Sequence, residues 1–318
     1  RRRPAAAQRP LSGRRGMAAA PHRHAHGRDF GRAFAVGVAI NLGFVLAEAV
    51  AGLLAGSLAL LSDAAHNLGD VLGLLLAWGA GRLALRPRSP RRTYGLRRGT
   101  ILAALANGVL LMLAVGAIAA EAVRRFGHPA PVAGTPVILV AAAGVLVNGA
   151  TALLFRRGRH HDLNVRGAFL HMAADAAVSL GVVVGGVLIR FTGWTWLDPA
   201  MSLAIGAVIA VGTWGLLRES LDLAMDAVPA GIDPAAVEAW LTALPGVTAV
   251  HDLHIWGMST SEVALTAHVV AAPGAMDDAA LHRAAAGLHE RFGIGHTTIQ
   301  VEAGDPADGC CLADGDTL

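Results

Sequence analysis

The chain has 318 residues, of which 54% are hydrophobic and only 15% are Asp, Glu, Lys or Arg, and its mean hydropathy is +0.52. Soluble domains carry roughly 25% charge, so the composition excludes a disordered chain, a disulfide scaffold and an ordinary cytosolic enzyme, and it indicates a polytopic membrane protein. All 26 basic residues are Arg, set against 23 acids for a net charge of +3.

Residues 1–28 hold eight Arg and no acid. They lack an apolar run leading to a small-residue cleavage site, so they read as a disordered basic tail rather than a secretory leader, with Met17 as a candidate start. His22, His24 and His26 alternate within this tail. Crossing the hydrocarbon takes about 20 apolar residues, and six windows qualify: 33–54, 58–81, 100–123, 134–155, 167–190 and 197–217. Ala55, Gly56 and Ser57 alone separate the first two, as a tight turn between antiparallel helices requires. Arg82, Arg86, Arg88, Arg91, Arg92, Arg97 and Arg98 follow the second span, and Arg156, Arg157, Arg159 and Arg166 follow the fourth. The opposite loops are poor in Arg, so the positive-inside rule places both termini in the cytoplasm. Topology accounts for these arginines, and no nucleic-acid partner is needed to explain them.

The chain divides into the 1–28 tail, a membrane domain over 29–221, a cytoplasmic domain over 222–304 and a disordered 305–318 tail. In the cytoplasmic part, Asp233-Pro234 reads as an N-cap followed by proline at the first helical position. Residues 247–256 and 263–270 are rich in β-formers and are joined by a turn at 257–261; 277–292 is an amphipathic helix and 297–302 a third strand. The order αββαβ implies one small sheet covered by two helices. Strict alternation along the first strand puts His251, Leu253 and Ile255 on one face and Asp252, His254 and Trp256 on the other. Cys310 and Cys311 are adjacent, so they cannot staple distant elements.

Ionisable residues inside the apolar windows carry the functional signal. The second window holds Asp63, His66 and Asp70, and the fifth holds His171 and Asp175. A carboxylate at the bilayer centre costs about 2.5–3.5 kcal/mol on insertion scales, so each needs a partner or a use. His66 and Asp70 are spaced i, i+4 and share one helical face; His171 and Asp175 repeat that spacing on another helix. Two such faces turned together offer two imidazoles and two carboxylates, the tetrahedral ligand count that Zn²⁺ prefers. The competing reading is a set of paired polar groups that hold the helices together; the duplicated spacing favours the metal. Asp63 lies on the same face as His66 and Asp70, either as a cation-entry or proton-relay group or as a cap for a neighbouring helix. Asp198, before Pro199, reads as the start of the sixth span's helix.

The stretches GSLALLSDAAHNLGD, SPRRTYGLRR, LNVRGAFLHMAADAAVSLGVVV, WLDPAMSL and VHDLHIWGMSTSEVALTAHV resemble, in order, the cation diffusion facilitator family, in particular its zinc-transporting bacterial and vesicular members. The resemblance implies a homodimeric, proton-coupled exporter with six transmembrane helices per protomer and a ferredoxin-like cytoplasmic domain. It implies that His66, Asp70, His171 and Asp175 form the transport site. A histidine at position 66, where some relatives carry Asp, favours zinc. Metal binding needs neutral imidazole and ionised carboxylate, so Zn²⁺ and H⁺ compete for the same atoms and the expected activity is antiport. In the cytoplasmic domain the resemblance marks His251, His268 and Glu302, with His296 nearby, as a regulatory zinc site, the alternative being ordinary surface histidines. Cys310-Cys311 suggest a soft-metal site, although adjacent cysteines chelate one ion only under strain. His160 and His161 lie in the loop where vesicular relatives carry long His-rich segments.

The expected protein is therefore a zinc exporter of the bacterial inner membrane, with zinc as substrate and as regulatory ligand. The alternatives are an exporter of Cd²⁺, Co²⁺ or Ni²⁺, and a membrane metal sensor that does not transport. Neither a Walker A motif nor a His-Glu-x-x-His sequence is present, so neither an ATPase nor a zinc protease is expected.

Overall fold

The computed structural model describes residues 29–128, 130–155 and 163–303. The 1–28 tail with its three histidines, His160, His161, Cys310 and Cys311 lie outside the described residues. The chain divides into two units at Ile40/Asn41; in the first, the described backbone from Asp29 onward is helical.

Six long helices come first: α1 (Asp29–Ala55), α2 (Leu58–Ala84), α3 (Gly99–Gly127), α4 (Gly134–Phe155), α5 (Leu163–Thr192) and α6 (Leu197–Ala224). Each contains one of the six apolar windows, and most run past it, because a helix keeps satisfying its own backbone where the polar loop begins. By length and composition, four segments are able to cross a bilayer: Gly99–Gly127, Gly134–Leu153, Phe169–Thr192 and Leu197–Ala224. The described part of α1 adds the shorter apolar stretch Asn41–Ala55, and in α2 the apolar run is broken by Asp63, His66, Asn67 and Asp70. This is the signature of a multi-pass membrane protein. Large side chains such as Leu54 and Phe191, which stand exposed on the bundle, suit a lipid environment.

Gly56 makes the turn from α1 to α2 with φ +68, a left-handed conformation that glycine adopts without Cβ strain. In the bundle α4 packs along α5, α3 along α6, and α2 against both α3 and α6, whereas α2 and α5 meet only locally. That local meeting holds the candidate site.

Beyond α6 lie α7 (Pro234–Thr242), β1 (Val247–Gly257), β2 (Val263–Ala271), α8 (Asp278–Phe292) and β3 (Ile294–Glu302). Asp233 caps α7 by accepting from Ala235 N at 3.0 Å, with Pro234 at the first helical position. Asp277 caps α8, and Gly293 ends it at φ +71. The sheet order is β1-β2-β3, with β1 antiparallel and β3 parallel to β2. Val237 and Leu241 from α7, Leu288 from α8, and Ile255, Leu265, Ala267 and Ile294 from the strands form one core. Leu265 and Ala267 face the helices, so the pleat turns Thr266 and His268 to the opposite face.

Candidate metal centres

His66, Asp70, His171 and Asp175 come together where α2 passes α5, and one ligand atom from each lies within 4.8 Å of the others. His66 Nε2 is 3.3 Å from Asp175 Oδ1 and 3.9 Å from Asp70 Oδ2. His171 Nε2 is 3.2 Å from Asp70 Oδ2 and 3.6 Å from Asp175 Oδ2. The i, i+4 pairs thus interlock, each imidazole touching the carboxylate of its own helix and of the other. A tetrahedral Zn²⁺ with ligands at about 2.0–2.1 Å has ligand–ligand edges of about 3.3–3.4 Å, and these separations lie near that value. The imidazole rings stand edge to face, 6.0 Å apart at 79°, which leaves both Nε2 atoms free to point at a common centre. The Asp175 side chain is 4% exposed while that of His171 is 45% exposed, so the cluster opens on the His171 and Asp70 side.

Four further tethers hold α2 in place. Asp198 sits in the first turn of α6, but its carboxylate does not cap that helix. It accepts from Ser57 Oγ at 2.5 Å, Leu58 N at 2.7 Å and Ala59 N at 3.3 Å, and so caps α2 from across the bundle. Asp198 stands at the start of the sixth span's helix as expected, but the bare N–H groups its carboxylate meets belong to α2. Arg125 of α3 hydrogen-bonds Gly56 O beside this cap. One turn on, Ser62 Oγ and Ser202 Oγ of α6 are 2.7 Å apart. Ser179 Oγ of α5 donates to Asp63 Oδ2 at 3.0 Å, and Asn67 Nδ2 donates to Glu48 Oε2 of α1 at 3.1 Å. Asp63 is fully buried beside the cluster and contributes no atom to it.

A second group lies on the face of the sheet away from α7 and α8. His251 and His268 are register partners across β1 and β2, their rings 5.1 Å apart at 87°. Glu302 closes the group from β3: its Oε2 is 2.9 Å from His251 Nε2 and its Oε1 is 3.1 Å from His268 Nδ1. Burial raises the Glu302 carboxyl, but its hydrogen bonds with Gln300 and His251 and the two nearby imidazoles outweigh that and hold it below the usual range. His268 Nδ1 is buried and has no hydrogen-bond partner among the described residues, despite its closeness to the carboxylate. A buried ring nitrogen facing a carboxylate fits a cation, which accepts electrons from both.

The structure does not bring His296 into this group. His296 lies early in β3, which begins at Ile294 rather than near 297, and its ring stands edge-on to Tyr94, 5.7 Å away. Conversely, Asp252 joins the neighbourhood from the face that strict alternation denied it. A register shift between His251 and His254 and a φ of +51 at Asp252 form a bulge, and a bulge re-aims side chains. Asp252 Oδ2 then lies 3.5 Å from His268 Nε2, and His254 Nε2 is 2.8 Å from Asp252 Oδ1. A carboxylate on the far nitrogen of a metal-binding histidine fixes its tautomer and ring orientation.

Long apolar helices around a His₂Asp₂ cluster that is open on one side, followed by a small domain of three strands and two helices, define an integral membrane protein that handles a metal cation. Comparison with known proteins agrees. Residues 34–223 match the cation efflux transmembrane domain, and residues 229–304 match the cytoplasmic domain of cation efflux proteins. The metal cation efflux system protein CzcD of Cupriavidus metallidurans is 38% identical over 284 residues, 89% of this chain and 90% of its own. The zinc transporter ZitB of Pectobacterium atrosepticum is 37% identical, covering 83% of this chain and 82% of its own. The cadmium, cobalt and zinc/H(+)-K(+) antiporter of Bacillus velezensis is 34% identical, covering 88% and 91%. The chain belongs to the cation diffusion facilitator, or cation efflux, family, and it is a metal cation efflux transporter.

Proposed function

We propose that this protein is a proton-coupled antiporter that exports Zn²⁺ through the His66, Asp70, His171 and Asp175 cluster. The observation that carries the reading is the set of four imidazole–carboxylate distances, 3.2 to 3.9 Å, close to the edges of a zinc-sized tetrahedron. Two imidazoles and two carboxylates neutralise the dication and suit Zn²⁺ better than hard ions that require oxygen alone. Cd²⁺ and Co²⁺ share much of this chemistry, and both stand in the name of the Bacillus relative.

Transport follows from competition at four side chains. With the site open to the cytoplasm, Zn²⁺ binds the deprotonated ligands and releases their protons. When the helices shift to open the other side, protons from outside take the imidazole and carboxylate atoms and the metal leaves. Asp70 and His171 are the more exposed ligands, and each is the member of its i, i+4 pair nearer the Arg-bearing loop that adjoins its helix. By the positive-inside rule those loops are cytoplasmic, so this conformation is inward-facing.

All six helices α1–α6 span the bacterial cytoplasmic membrane, with both termini inside. The αββαβ domain is ferredoxin-like and joins two protomers into a homodimer. His251, His268 and Glu302 hold a regulatory Zn²⁺, Asp252 orients His268, and the bound ion ties all three strands together when cytoplasmic zinc is high.

Proteoliposomes with an imposed pH gradient test the reading. Zn²⁺ flux coupled to counter-flow of H⁺ is expected, and His66→Ala and Asp175→Ala abolish it while leaving the protein in the membrane. Unchanged flux in either variant overturns the site, and zinc flux indifferent to the gradient overturns the coupling.

A further inference from the structure

One polar feature of the bundle remains beside the metal cluster. Glu48 on α1 and Asp63 on α2 are both fully buried, and they are neighbours, since Asn67, one turn from Asp63 on the same face of α2, bonds Glu48. Two of their four oxygens have donors, Asn67 Nδ2 at Glu48 Oε2 and Ser179 Oγ at Asp63 Oδ2. The other two, Glu48 Oε1 and Asp63 Oδ1, have no hydrogen-bond partner among the described residues. Ionised carboxylates only accept, so two of them cannot satisfy each other. A proton between them gives both oxygens a partner.

The charge around the pair points the same way. The ionisable groups that face Asp63 are Glu48 on α1, His66 one turn along α2 and Asp175 on α5, and Glu48 faces Asp63. No Arg pairs with either carboxyl among the described residues. Like charges this close, in a dry interior, do not both ionise.

We propose that Glu48 and Asp63 form a proton-sharing carboxyl pair that stores and returns a proton of the transport cycle, cycling between doubly and singly protonated states. This rests on the proton-coupled reading and extends it to residues outside the ligand set. When a dication enters the neighbouring cluster, its field favours negative charge on the pair. One O–H bond breaks, the proton leaves, and the remaining proton is shared between the two carboxyl groups. When the metal departs, the pair takes a proton back and is neutral again.

The test counts protons. Zn²⁺ is added to the full-length protein in detergent, weakly buffered between about pH 6 and 8 where proton exchange matters physiologically, and released protons are read with an indicator dye. Glu48→Gln gives Asp63 a permanent amide donor, and Asp63→Asn gives Glu48 one. Each variant is expected to release about one proton fewer per Zn²⁺ than wild type within that range, with zinc affinity kept within tenfold. The double variant loses no more than either single one, because a shared proton is lost only once. Equal proton counts in wild type and variants overturn the pair, and losses that add overturn the sharing. Loss of zinc binding in both single variants also overturns it, by making the residues structural. A wild type that binds Zn²⁺ and releases no proton overturns the coupling reading and the pair together.

Discussion

Asp198→Ala removes a single carboxylate whose contacts allow its cost to be worked out. The group is fully buried and accepts from Ser57 Oγ, Leu58 N and Ala59 N at 2.5, 2.7 and 3.3 Å. Leu58 and Ala59 open α2, so their N–H groups are among those that a helix start leaves unpaired, and a negative charge there meets the positive end of the helix dipole. Alanine orphans three donors. At about 1–3 kcal/mol for each buried unsatisfied group, the gross loss is about 3–9 kcal/mol. The site lies at the end of the bundle, where water entering the vacated space satisfies part of it, so the net cost is expected near the low end, about 3–4 kcal/mol. At roughly 2–4 °C per kcal/mol for a large domain, the thermal midpoint of the detergent-solubilised protein, followed by tryptophan fluorescence, falls on the order of 10 °C. Asp198→Asn keeps one acceptor but turns its amide toward a backbone N–H, and about half that shift is expected. Asp198 gives no atom to the metal cluster, so zinc affinity is retained in both variants. A midpoint for Asp198→Ala within about 2 °C of wild type would refute the capping argument.

Three other substitutions probe the centres. His66→Asp turns an N₂O₂ set into one nitrogen and three carboxylates, which suits harder ions; competition flux should move the Mn²⁺:Zn²⁺ ratio at least about tenfold toward Mn²⁺, and an unchanged ratio sinks the argument. Asp252→Ala removes the carboxylate 3.5 Å from His268 Nε2; measured by titration in an Asp175→Ala background, zinc affinity at the cytoplasmic group should fall about 10–100-fold. Glu302 is held below its usual value when folded, so its contribution to stability is present above about pH 4.3 and is lost as pH falls through the lower folded value. The thermal midpoint of metal-free wild type should therefore exceed that of Glu302→Gln at neutral pH, with the gap closing in acid; a gap that widens in acid reverses the sign and refutes the argument.

The candidate metal ligands are legible in the sequence because their signal is local. A repeated i, i+4 His–Asp pair in an apolar window is visible without any tertiary knowledge. What it hides is the partner of each polar group when that partner is remote. Asp198 before Pro199 matches the pattern of a local N-cap, yet the donors it meets are about 140 residues away. Period-two alternation puts Asp252 on the face opposite His251 only if the strand is unbroken, and the bulge at φ +51 re-aims the side chain. The resemblance places His296 near Glu302, but the two stand six residues apart on an extended strand, and His296 pairs with Ala264 of β2, four residues from His268. Asp63 stands out as an acid in an apolar window, but its neighbour Glu48 is not legible as its partner, since that depends on how α1 rotates against α2.

The α2 helix explains why a chain so poor in charge keeps its polar residues where insertion is most costly. Polar side chains along it and its N-cap tie it to three neighbours: Ser57 and Ser62 to α6, Asp63 and His66 to α5, and Asn67 to α1. The tether to Ser179 and the metal ligand Asp175 lie one turn apart on α5, and Asp63 and His66 lie one turn apart on α2. A movement of α2 against α5 that separates His66 from Asp175 must therefore also disturb the donor to Asp63. Removing that donor leaves Asp63 Oδ2, like Oδ1, without a hydrogen-bond partner. The rearrangement that weakens the hold on the metal thus also opens an acceptor on the proposed carboxyl pair, the direction that the proposed exchange of a metal ion for protons needs.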